Sequence, residues 1–95
     1  MDFLVKQEFS QDEINYLEEN VPSKLKKEII KNNKLIDKNV SFLKNLGVKN
    51  YKEIFSKYYD MFLMDYSNFK AIFQKYEVDD LIEKLAKNME IIEFL

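Results

Sequence analysis

The chain has no cysteine and no histidine. Without cysteine, neither a disulfide framework nor a thiolate metal site can form. Without histidine, the usual general base and the commonest protein metal ligand are both missing. Arginine, threonine and tryptophan are absent too, so all 15 basic residues are lysines. Glycine and proline occur once each in 95 residues, which leaves little loop material and predicts short connections. No run approaches the roughly 20 apolar residues of a membrane-spanning helix. Met1-Asp2-Phe3-Leu4-Val5-Lys6 is too acidic and its apolar stretch too short for a secretory signal. The expectation is a soluble, cytoplasmic protein with no membrane segment, cofactor or metal ion.

What is present points to a packed core. Hydrophobic residues make up 46% of the chain, with 8 Phe and 6 Tyr, so a few large side chains carry most of the burial. Such a chain has enough apolar area to offset its ordering entropy, and one domain is expected. Phe, Tyr, Met, Ile, Asn and Lys fill 51 of the 95 positions. All six have AT-rich codons, so an AT-rich genome accounts for the bias, and lysine abundance alone says little about ligands.

The apolar pattern predicts an all-α fold with no sheet. Residues 1–9 form an apolar N-terminal segment, and helices are expected over 10–20, 23–46, 51–62, 66–76 and 79–95. Ser10-Gln11-Asp12-Glu13 is a capping box, in which Ser10 and Glu13 satisfy each other's free amides. Val21-Pro22-Ser23 breaks the chain, because proline disfavours helical geometry in the residue before it. Leu25, Ile29, Ile36, Val40 and Leu43 keep one phase at about 100° per residue, as one buried stripe of a long helix would. Gly47 is its natural C-cap, and Asn32-Asn33 its weak point. Asn50 is expected to cap the next helix, Asp65 or Ser67 the one after, and Asp79 the last, with Val78 and Ile82 as a hydrophobic staple. The architecture is a compact multi-helix bundle or a short array of helical hairpins, with about five to six helices.

Net charge is −2, but it is unevenly spread. Residues 1–20 hold one Lys against six acids, a balance of −5; residues 21–57 hold ten against three, +7; residues 58–95 hold four against eight, −4. Lys24, Lys27, Lys31, Lys34 and Lys38 step by 3, 4, 3 and 4, so on one continuous helix they share a face opposite the apolar stripe. With nearby Lys44, Lys49 and Lys52, that face is the candidate for contacting nucleic-acid phosphates. The lack of arginine argues against base-edge reading, so such binding would be backbone-directed.

Ile30 to Leu95 resembles the helical repeats of the mitochondrial transcription termination factor family. The carrying segment is Phe42-Leu43-Lys44-Asn45-Leu46-Gly47-Val48, then Ile54-Phe55, then Met61-Phe62-Leu63, with Asp65, Phe69 and Phe73 opening the next unit. An internal echo at an offset of 30 sets Phe42–Val48 beside Ile72–Val78. The apolar turn Tyr59-Asp60-Met61 has no proline, and Glu77 stands where the second unit would have glycine. The resemblance implies a helical-repeat fold; one or two units are too few for the extended superhelix that wraps duplex nucleic acid, so nucleic-acid binding stays an alternative that the fold does not by itself establish.

No catalytic constellation is found. Asp79-Asp80 and Glu18-Glu19 suit helix ends and surfaces, where acids at a helix start complement its dipole. Tyr51, Tyr58, Tyr59, Tyr66 and Tyr76 stand at core spacing beside the phenylalanines. The ends of the chain are apolar: Phe3, Leu4, Val5 and Phe9 open it, and Ile91, Ile92, Phe94 and Leu95 close it. Either they pack, or they form a patch for a protein partner or a second copy. The leading expectation is therefore a non-enzymatic helical module that binds a protein partner or forms a homodimer, with no small-molecule substrate. The alternative is a nucleic-acid-binding module using the lysine face.

Overall fold

In the computed structural model, which describes residues 1–95, the chain is all-α, with six α-helices, three 3₁₀ turns and no strand. The helices are α1 (Gln11–Asn20), α2 (Ser23–Lys31), α3 (Asn33–Leu46), α4 (Tyr51–Tyr58), α5 (Tyr66–Gln74) and α6 (Val78–Lys87). The 3₁₀ turns are Asp2–Gln7 before α1, Tyr59–Leu63 after α4 and Met89–Phe94 after α6. No helix is long and apolar enough to cross a membrane.

The capping box forms as expected: the Glu13 amide donates to Ser10 Oγ at 3.1 Å and the Ser10 amide to Glu13 Oε1 at 2.8 Å. Gly47 ends α3 at φ 105°, a conformation that a side chain would strain. Asp65 caps α5 through the Asn68 amide.

Four expectations are corrected. The predicted 23–46 helix is two helices, because Asn32 leaves helical geometry at φ −104° and ψ 32° while the Asn32 and Asn33 side-chain amides take up carbonyls of α2. The 51–62 and 79–95 helices each stop early and finish as a 3₁₀ turn. Glu77, not Asp79, caps α6, its carboxylate accepting from the Asp79 and Asp80 amides; Val78 is thus inside the helix and cannot be the staple's outer half. Asn50 precedes α4 without a side-chain cap bond: its Nδ2 donates to the Leu85 carbonyl at 3.0 Å, and in that orientation Oδ1 is buried without a donor and misses the amides of the first turn.

α3 is the central element, touching α2, α4, α5 and the first two 3₁₀ turns. Its stripe Ile36, Val40 and Leu43 is fully buried, as is Ile29 from α2. Around it runs an aromatic chain. Phe55 meets Phe62 at 5.0 Å between centroids, Phe62 meets Phe69 at 4.9 Å, and Phe69 meets Phe73 at 5.1 Å. Edge and tilted pairs of this kind stabilise by about 0.5–1.5 kcal/mol each beyond their area. The radius of gyration, 12.8 Å, matches the about 12–13 Å of a compact chain of this length. The molecule is therefore a bundle rather than an extended array.

Within it, an order recurs: α-helix, shorter or similar α-helix, 3₁₀ turn, first in α3–Leu63 and again in α5–Phe94. Buried Asn39, Leu43, Tyr51, Phe55 and Phe62 correspond, 30 residues on, to buried Phe69, Phe73, Leu81, Leu85 and Ile92.

Candidate functional site

The N-terminal segment folds back onto the bundle, and this decides much of the surface. Tyr51 Oη donates to the Gln7 carbonyl at 2.6 Å, and Gln7 Nε2 donates to Asp37 Oδ1 and Ser41 Oγ at 2.7 Å each. Phe9 packs edge-on against Phe55 at 5.8 Å. Burial raises the Tyr51 hydroxyl above its ordinary pKa, with Glu8 beside it adding to the effect.

The eight apolar end residues therefore divide. Leu4, Phe9 and Ile92 lie in the core and are withdrawn as interface residues: their burial closes the bundle, so a partner cannot reach them. Phe3, Ile91 and Leu95 are half-buried. Val5 and Phe94 are exposed, Phe94 at 85%.

The eight lysines divide too. Lys44 pairs with Glu8 at 3.6 Å, and Lys52 pairs with Glu13 at 3.6 Å and donates to the Glu8 carbonyl at 3.3 Å. Those two charges are partly offset by the acidic first segment packed beside them. Lys24, Lys27, Lys31, Lys34, Lys38 and Lys49 are exposed and make no ion pair. The row is not on one straight helix, since the chain bends at Asn32. Lys38 ends it with its ammonium 4.4 Å from the centre of the Tyr66 ring, where Lys70 also stands at 5.2 Å. Ile30 lies among these lysines with 46% of its surface exposed.

A second feature was not foreseen. A groove of about 640 Å³ opens between α1, α4 and the last 3₁₀ turn. Tyr16 and Met89 supply its apolar lining, Asp12, Glu13 and Glu53 its carboxylates, and Ser56 and Lys57 complete it. Two of the charges are already engaged. Lys57 Nζ donates to Glu90 at 3.0 Å, a hydrogen bond that raises its pKa. Glu13 carries the capping bond from the Ser10 amide, which holds its carboxyl below the ordinary range and keeps it ionised at neutral pH. Asp12 and Glu53 have no ion-pair partner, so the groove is net negative. Tyr16 is 54% exposed.

The groove's lining comes from segments dozens of residues apart, so no local motif announces it. Ile30 did carry a signal, since it falls outside the phase of the buried stripe. No three or more acidic side chains are grouped so as to hold a metal ion. Comparison of the chain with protein-family models, with characterised proteins and with solved structures returns no match.

Proposed function

We propose that this chain is a non-enzymatic protein-interaction module whose groove takes a basic, partly aliphatic segment of a protein partner. The observation that carries this reading is the groove's make-up: an exposed tyrosine ring and a methionine beside two unpaired carboxylates. An aromatic face attracts ammonium and guanidinium groups, methionine adapts to varied aliphatic shapes, and the carboxylates set the sign. Glu13 argues against acid–base chemistry there, because its pKa is displaced downward, the wrong direction for a general acid near neutral pH. The expected setting is cytosolic.

The test is a titration with a labelled helical peptide bearing one isoleucine flanked by lysines. Binding should weaken at least tenfold in Tyr16→Ala and in Glu53→Lys. A peptide that fails to bind, or that binds both variants as well as the parent, removes the reading.

The unpaired row Lys24, Lys27, Lys31, Lys34 and Lys38 favours a second reading, a nucleic-acid backbone contact. Its affinity should fall with salt at a log–log slope of about −0.9 per duplex phosphate neutralised. Lys27→Glu with Lys34→Glu should abolish it; an unchanged gel shift would discard it. The recurrence of buried positions at an offset of 30 supports treating the two halves of residues 33–94 as helical-repeat units of the kind to which the sequence bears a resemblance.

A further inference from the structure

We propose that the groove is filled by the Ile30 face of a second copy of this chain, so that molecules associate head to tail. The inference rests on the groove reading above and names its partner.

The two surfaces match in two independent respects. One is apolar. Ile30 is a large aliphatic side chain left half in water by a helix whose other large aliphatics, Leu25 and Ile29, are wholly or partly buried. Tyr16 and Met89 present the complementary apolar surface inside a concave site. The other is charge. Lys27 stands one turn before Ile30, Lys31 beside it, and Lys34 opens α3 just past the bend, all exposed and without a carboxylate partner. Asp12 and Glu53, in the groove, have no basic partner in their own molecule. Of the other two lysines of α2, Lys24 is exposed and unpaired, while Lys26, one turn before Ile30, is held by Glu18 of its own molecule at 3.3 Å. An aliphatic side chain flanked by unpaired ammonium groups thus matches an aromatic and thioether surface flanked by two unpaired carboxylates.

The two patches use different residues, so each copy keeps one of them free after docking. Such a heterologous contact propagates as an open chain or closes as a ring, and does not stop at a two-fold dimer. Opposite charges at the contact make it sensitive to salt, because exposed pairs are screened within a Debye length of about 8–10 Å.

Sedimentation of the full chain tests this. At low ionic strength the average mass should rise with concentration past that of a dimer, and added salt should shift it toward monomer. Two variants separate the surfaces. Ile30→Glu with Lys31→Glu spoils the protruding face and leaves the groove; Tyr16→Lys with Glu53→Gln spoils the groove and leaves the face. All four positions are exposed, so helical content should be unchanged by circular dichroism. Each variant alone should be monomeric, and an equimolar mixture should form a dimer and nothing larger. A monomer at every concentration up to about 1 mM, where even weak specific contacts are populated, overturns the proposal. So does assembly that persists in either variant alone. If the chain stays monomeric while the peptide above still binds the groove, self-docking falls and the partner is another protein; if neither binds, both readings fall.

Discussion

The side-chain amide of Asn39, in the middle of α3, donates to the backbone carbonyl of Phe62 at 2.9 Å and to that of Met64 at 2.9 Å. One fully buried polar residue therefore closes the end of the Tyr59–Leu63 turn onto the central helix. Carbonyls at such an end have no helical partner of their own, and burying them unbonded is costly. Asn39→Ala should destabilise the chain by about 2–4 kcal/mol, since two acceptors lose their donor. Asn39→Leu should be no better, because the apolar gain leaves both carbonyls unpaired. Urea denaturation measures the loss as a fall in midpoint.

Gly47 joins α3 to the α4 half of the molecule at a positive φ, and a Cβ placed there would lie 3.2 Å from Ile82 Cδ1. Gly47→Ala is expected to cost about 1–2 kcal/mol, from backbone strain together with crowding. Ile82→Val removes the crowding atom. The double variant should thus be less destabilised than the sum of the two singles, a coupling that a thermodynamic cycle resolves.

Phe69 stands between Phe62 and Phe73 and also meets Phe42 at 6.2 Å. Truncation to alanine should cost about 3–5 kcal/mol, a large part of the 5–15 kcal/mol that typically holds a domain folded. Phe69→Leu should cost distinctly less, because most of the volume remains. Near-ultraviolet circular dichroism and chemical denaturation read both.

Acid and alkali should act through different residues. Glu13 and Glu18 both have carboxyl pKa values below 4.5 in the folded chain, Glu13 mainly through the Ser10 amide and Glu18 mainly through the Met1 amino group. A depressed folded pKa means that their stabilisation is present above about pH 4.5 and is lost as pH falls through the lower folded value. Glu13→Gln should therefore flatten the acid limb of the stability curve. Ser10→Ala, which removes the cap itself, should also cost about 1 kcal/mol at neutral pH. For Tyr51 the sign is reversed: its raised pKa favours the neutral hydroxyl, so its contribution holds below about pH 10 and fades above it. Tyr51→Phe should lose the Gln7 bond at neutral pH and be less sensitive to alkali.

The helices and their inward faces were legible because burial in a helix imposes a period, and Ile29, Ile36, Val40 and Leu43 keep it. The Ser10–Glu13 cap and the Gly47 stop were legible because each is settled by three or four consecutive residues. The absence of histidine and cysteine had already excluded whole classes of chemistry before any fold was known. Tertiary structure alone decided whether Leu4 and Phe9 face water, which lysines find an acid, and that Asp12, Tyr16, Glu53 and Met89 share one groove. Those outcomes depend on contacts between residues far apart in the chain, whose free energies are set by the packed geometry and leave no periodic trace in the order of amino acids.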